Sequence, residues 1–232
     1  MSKATFQNLP AEKRDRFLSL AIEEFAAHDY AGASISKLVG RAGIAKGSLY
    51  QYFEDKADLF VFLVEHAQNV LLETVREEAV AAGNGPSSDH WLDLLRAQMS
   101  ATVRAALRYP LESQLVQRAY QAPAPIRRRL EGHDAGVRLA HMQALLAQAQ
   151  SRGELAPERD VEVAAHVLAG VMSGLGPLVM KRLGLDPALD VSVSAERLDP
   201  ARLEPIFDEV LQIVSLGLDL PRKRRTGRAK TR

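Results

Sequence analysis

The chain has 232 residues, with 30 Lys/Arg against 29 Asp/Glu, 47% hydrophobic and 25% charged side chains. Those values exclude a wholly disordered chain and give ample length to bury a core. With no cysteine, disulfide scaffolds, thiol nucleophiles and Cys-based metal sites are excluded. The near-neutral total hides an uneven distribution: residues 1–56 carry 8 basic and 7 acidic side chains, the body 57–221 has 15 and 22, and the end 222–232 has 7 and none. Nucleic-acid binding by the whole molecule is excluded as an argument, and any such site must be local.

In chain order the pattern is helical almost throughout. Leu18, Ala21, Ile22 and Phe25 recur at helical spacing after Pro10, so a first helix is expected there, ending by Tyr30-Ala31-Gly32. Two short helices are expected over about 35–41 and 46–52, separated by Ala42-Gly43-Ile44. The segment 57–82 runs 26 residues without Gly or Pro and predicts one long helix. Gly83 to Ser88 reads as a loop. Trp91–Arg108 predicts a helix broken by Tyr109-Pro110, followed by one of about three turns. A long helix is expected from Ile126 to Arg152 with Gly153 as its C-cap, then one from Asp160 to about Leu183 and a last one over Arg202–Leu218. Leu185–Pro200 reads as a loop, and the basic end as disordered. The class is all-α: a small three-helix head (1–56) on a larger helical body (57–221), with a basic tail (222–232).

Val163–Met180 contains no Asp, Glu, Lys or Arg over 18 residues, the lower edge of membrane-spanning length. Its His166, Ser173, three glycines and Pro177 argue instead for a helix covered by a partner helix. The N-terminus lacks the apolar stretch of a signal peptide, so a cytoplasmic location is expected.

The informative segment is Ser34–Lys56, SISKLVGRAGIAKGSLYQYFEDK. Ser34 can cap a helix whose apolar face is Ile35, Leu38, Val39 and Ala42. Gly43 suits a tight turn, and the next short helix turns Leu49 and Phe53 inward. That is a helix-turn-helix. Its second helix turns Lys46, Gly47, Ser48, Tyr50, Gln51 and Tyr52 outward, groups suited to phosphate and base-edge contacts. Seven residues span about 10 Å, short enough to enter a major groove. Ser34, Ser36 and Lys37 on the first helix, and Lys56 before the long helix, complete the candidate DNA-contacting set. No acid falls between Ser34 and Tyr52.

AGIAKGSLYQYFEDKADLF resembles the helix-turn-helix signature of TetR-type transcriptional repressors, and FAAHDYAGASISKLV resembles the helix and turn before it. The resemblance is close over about 17–60. Beyond that it holds in layout, with SRGELAPERDVEVAAHVLAGVMSGL similar to the family's penultimate helix region. Two positions depart from the pattern: Asp29, where the family usually has Gly, and Ala45, where it often has a capping Ser or Thr. The resemblance implies a homodimer joined through helices near 160–183 and 202–218, a palindromic operator, and a small, mostly apolar effector held in the body. Trp91, Met99, Tyr120, Met142 and Met172 are the candidate lining, with core packing as their alternative role.

No enzyme motif occurs, no catalytic constellation can be assembled, and no cofactor is expected. His133, Asp134 and His141 lack the spacing of a helical zinc pair, so no metal is expected. Arg127-Arg128-Arg129 reads as a solvated face. The rival reading is an all-α ligand carrier or enzyme without DNA-binding activity.

Overall fold

In the computed structural model, residues 6, 8–81, 90–130, 135–185 and 200–219 are described. All regular structure among them is helical. The expected Gly83–Ser88 loop, most of the Leu185–Pro200 loop, the tail, His133 and Asp134 lie outside them.

Helix α1 spans Ala11–Ala27 and buries Phe17, Leu18, Ala21, Ile22 and Phe25, the face its periodicity predicts. The turn after it is held by Asp29, whose carboxylate accepts the Gly32 N–H at 2.6 Å. Helix α2 (Ile35–Ala42) begins where the Ser34 hydroxyl accepts the Lys37 N–H. It stops at Gly43, whose φ of +68° lets the Ile44 N–H reach back to the Val39 carbonyl. Helix α3 is Lys46–Leu49, shorter than the expected 46–52. Ala45 supplies no side-chain cap. The chain continues through turns in which Gln51 and Tyr52 donate to carbonyls three residues back.

Helix α4 (Lys56–Ala81) opens on a reciprocal cap. Asp55 accepts the Asp58 N–H at 2.7 Å, and Asp58 accepts the Glu54 N–H at 3.1 Å. Then come α5 (Trp91–Arg108), α6 (Pro110–Gln121, with Pro110 at its first position) and α7 (Ala124–Leu130). Helix α8 is Ala135–Ser151, α9 is Val161–Leu183 and α10 is Pro200–Asp219. The stretch expected as one helix over Ile126–Arg152 holds a first described helical part, α7, and a second, α8, with residues 131–134 outside the description. Gly153 caps the second at φ +75°.

Two apolar cores result. The first joins α1–α4 to Leu115, Val116, Ala119, Ala122 and Ile126 of the α6–α7 region. Its centre is aromatic: Phe6, Phe17, Phe53 and Phe62 pack in stacked, tilted or edge-to-face pairs with ring centroids 5.3–6.5 Å apart. The second gathers α5, α8, α9 and α10 around Leu95, Met99, Leu146, Leu175 and Phe207. Arg96 on α5 pairs with both Glu204 and Asp208 of α10, fixing that helix over the second core.

Helix α9 carries Pro177 in its interior, so the Ser173 carbonyl has no helical N–H to accept. Gln117 of α6 donates its side-chain amide to that carbonyl. One turn later Gly176 lies so close to α5 that a Cβ there would sit 2.9 Å from the Ala106 Cβ. Gly176→Val is expected to destabilise by about 1–3 kcal/mol, because two helix backbones must separate. Thermal melting of the variant checks it.

Candidate nucleic-acid interface

Burial sorts the head's side chains. Leu38, Leu49 and Phe53 are buried and pin the two short helices to α1 and α4. On the opposite side Ser36, Lys46, Gly47, Tyr50 and Gln51 are exposed, and Ser48 is half-buried. Tyr50 leaves 46% of its surface in solvent although it neighbours fully buried Leu49. Nothing lies within 4 Å of where a Gly47 Cβ would be, so that side of α3 is open. A short convex edge with one lysine, one phenol and one amide can lie against a groove floor and its phosphates.

Four predicted contacts stand differently from the expectation. Tyr52 does not face outward: it is half-buried and its ring meets Phe6 at 5.8 Å, because α3 ends at Leu49 and the following turns swing it inward. The Lys56 ammonium donates to the Ala33 carbonyl at 2.6 Å and the Ala31 carbonyl at 3.2 Å, and sits 4.9 Å from the centre of the Tyr30 ring. It ties the α1–α2 turn to the start of α4. Burial lowers its pKa from the usual lysine value, against the pull of Asp29 and Glu24. Ser34 is engaged as the cap of α2. Lys37 is exposed, but its ammonium lies 3.3 Å from Glu24.

Glu24 escapes a reading of the sequence, since a glutamate beside Phe25 on an amphipathic helix reads as surface. It is nevertheless 2% exposed. Its carboxylate accepts the Ser34 backbone N–H at 2.9 Å, and His28 lies 3.8 Å away. Burial pushes its pKa up, but the Ser34 bond, Lys37 and His28 outweigh it and hold the carboxyl below the usual value.

The body's candidates also divide. Trp91, Met99 and Met142 are buried together in the second core, and Met172 packs at its edge. Tyr120 does not join them: it is 51% exposed, with its hydroxyl 3.3 Å from Ser173 Oγ. Its position at the end of α6 turns it away from the α5–α8 layer.

A different apolar surface is open. Helices α9 and α10 form a groove of about 310 Å³ lined by Val163, Val167, Val171, Ile213 and Val214, with Arg159 and Asp160 at one end. Val163, Val167 and Ile213 each leave about 60% of their surface in solvent. Helix α9 is long and apolar enough to cross a membrane, yet its Leu168, Leu175 and Val179 lie in the second core. His141 is exposed, and no group of metal-binding side chains occurs among the described residues.

Residues 17–62 match the model of the bacterial regulatory proteins, tetR family. Over 172 residues the chain is 27% identical to the transcriptional repressor BepR of Brucella suis, covering 71% of this chain and 78% of that protein. The structure superposes on a TetR family transcriptional regulator from Chloroflexus aurantiacus with TM-score 0.73 and 29% identity, covering 94% and 98% of the two chains. The fold also matches FadR of Bacillus subtilis, solved in complex with stearoyl-CoA, with TM-score 0.63 and 19% identity over 88% of this chain and 98% of that one. The open edge of α3 thus lies within the segment that matches the family model, and the comparisons together support a TetR-type, helix-turn-helix transcriptional regulator.

Proposed function

We propose that the protein is a homodimeric repressor that reads a palindromic operator through residues 1–56 and releases it when an apolar effector enters the body, 57–221. The observation that carries the DNA-reading part is the outward set Lys46, Gly47, Tyr50 and Gln51 on a helix anchored by Leu49 and Phe53. Ser36 and Ser48 add hydroxyls for phosphates. Lys37, Lys56, Tyr52 and the Ser34 hydroxyl stay outside the contact set, because each already has a partner within the head.

Dimerisation is supported by the α9–α10 face. Val163, Val167 and Val171 are spaced by four residues and form one stripe beside Ile213 and Gly217. A second copy of that stripe covers it by two-fold symmetry, giving a four-helix contact. The two heads then sit at a fixed separation, which sets half-site spacing.

The effector is placed among Trp91, Met99, Met142 and Met172. This core is apolar and methionine-rich, and unbranched thioethers repack around an apolar guest at low cost. Helix α4 runs from the head past α5, where Glu77 and Glu78 meet Arg108 and Arg104. Opening the α5–α8 layer therefore moves α4 and alters the separation of the heads.

Tyr50→Ala is expected to weaken operator binding by about 1–3 kcal/mol while leaving the melting temperature nearly unchanged. The measurement is a titration of DNA from beside the protein's own coding region, first with the parent and then with the variant. A variant that unfolds, or that binds this DNA as tightly as the parent, removes the assignment.

A further inference from the structure

The first helix of the helix-turn-helix carries two cations, Lys37 and Arg41, one turn apart. Both are paired with consecutive acids of α1. Lys37 Nζ lies 3.3 Å from Glu24 and Arg41 Nη2 lies 2.7 Å from Glu23. The two pairs differ in kind. Glu23 is half exposed, so its pair is weak and screened. Glu24 is 2% exposed and cannot turn to water, and one of its oxygens is fixed by the Ser34 N–H. Lys37 is the movable member, with 56% of its side chain in solvent.

We propose that Glu24 is an internal rival of DNA for Lys37, holding that ammonium off the phosphate backbone and so restraining sequence-independent binding. The proposal rests on the head being the DNA-contacting part. A phosphate approaching the start of α2 meets a lysine already satisfied by a closer, immobile carboxylate. To recruit Lys37 it must break that pair and leave a buried carboxylate with one ligand fewer, which is costly. Non-specific affinity is built from such phosphate contacts, one released counterion at a time. Withholding one cation per head lowers it without touching the base-reading edge of α3. The ratio of operator to non-operator binding then rises.

The test is the salt dependence of binding to a mixed-sequence duplex lacking the operator, for the full-length parent, Glu24→Gln, Lys37→Gln and the double variant. The amide introduced by Glu24→Gln keeps an oxygen for the Ser34 N–H and removes the charge that holds Lys37. Glu24→Gln is expected to bind several-fold more tightly at low salt and to steepen the log–log slope by about 0.9 per subunit. Lys37→Gln alone is expected to leave the parent slope unchanged, and the double variant to return to it. An unchanged slope in Glu24→Gln overturns the proposal. So does a slope reduced by about 0.9 in Lys37→Gln alone, because Lys37 would then already contact phosphate. Should Glu24→Gln fail to fold by circular dichroism, the Lys37→Gln slope decides by itself. A parent that binds neither operator nor mixed-sequence duplex at any salt would instead overturn the DNA-reading head, and with it this proposal.

Discussion

Val167→Glu is expected to convert the protein to a monomer and to lower operator affinity by about 10²–10⁴-fold, the advantage that linking two half-site contacts confers. Val167 leaves 59% of its surface in solvent, so a carboxylate there is hydrated in the separate subunit and its fold is spared. In a dimer closed over the α9–α10 groove, symmetry brings the new carboxylate near its own copy in an apolar seam. That burial without a counter-charge is what drives the subunits apart. Light scattering gives the mass, and circular dichroism confirms that helix content and melting are retained. Ile213→Glu, at 62% exposure on α10, is expected to act the same way. A dimer that persists in both variants would move the interface elsewhere.

Phe53→Ala is expected to have the largest effect on stability, about 3–5 kcal/mol. The ring is 1% exposed and meets Phe6, Phe17 and Phe62, so its removal leaves a hole that three other rings cannot easily close. Total stabilities are about 5–15 kcal/mol, so the head should loosen at moderate temperature. Chemical denaturation would show the shifted midpoint. Operator binding should fall in proportion to the unfolded fraction, in contrast to Tyr50→Ala, where folded protein binds poorly. A loss under 1 kcal/mol would mean that the aromatic cluster is not the keystone of the head.

The elements legible in the sequence are those whose signals are local. The 3.6-residue period turns Leu49 and Phe53 inward and Tyr50 outward, as their burial shows. Helix α5 has the bounds that Trp91 and Arg108 suggest, and Asp160 caps α9 by accepting two backbone N–H groups at 3.1 Å. What escapes depends on partners distant in sequence. Lys56 is committed to carbonyls 23 and 25 residues away, which no pattern around residue 56 reveals. Glu24 is buried, and its partners Ser34 and Lys37 stand at the start of α2, beyond the turn that follows α1. Tyr52 would face outward only in the register of a helix that in fact stops at Leu49, and Tyr120 has a ring suited to a pocket but the wrong place on α6.

Helix α6 gives the head a second attachment besides α4. Arg118 donates to the last carbonyls of α1, those of Ala26 and Ala27, at 3.2 and 3.4 Å. Around it Leu115, Val116, Ala119 and Ile126 fill the same core as Phe25 and Phe60. For anyone building chimaeric regulators, the cut suggested by the motif, after Lys56, severs a shared core. A transplanted head would arrive with an apolar flank fitted to its former host. The exchangeable module is discontinuous: the head, the first half of α4, and the α6–α7 residues that close over them, travelling together.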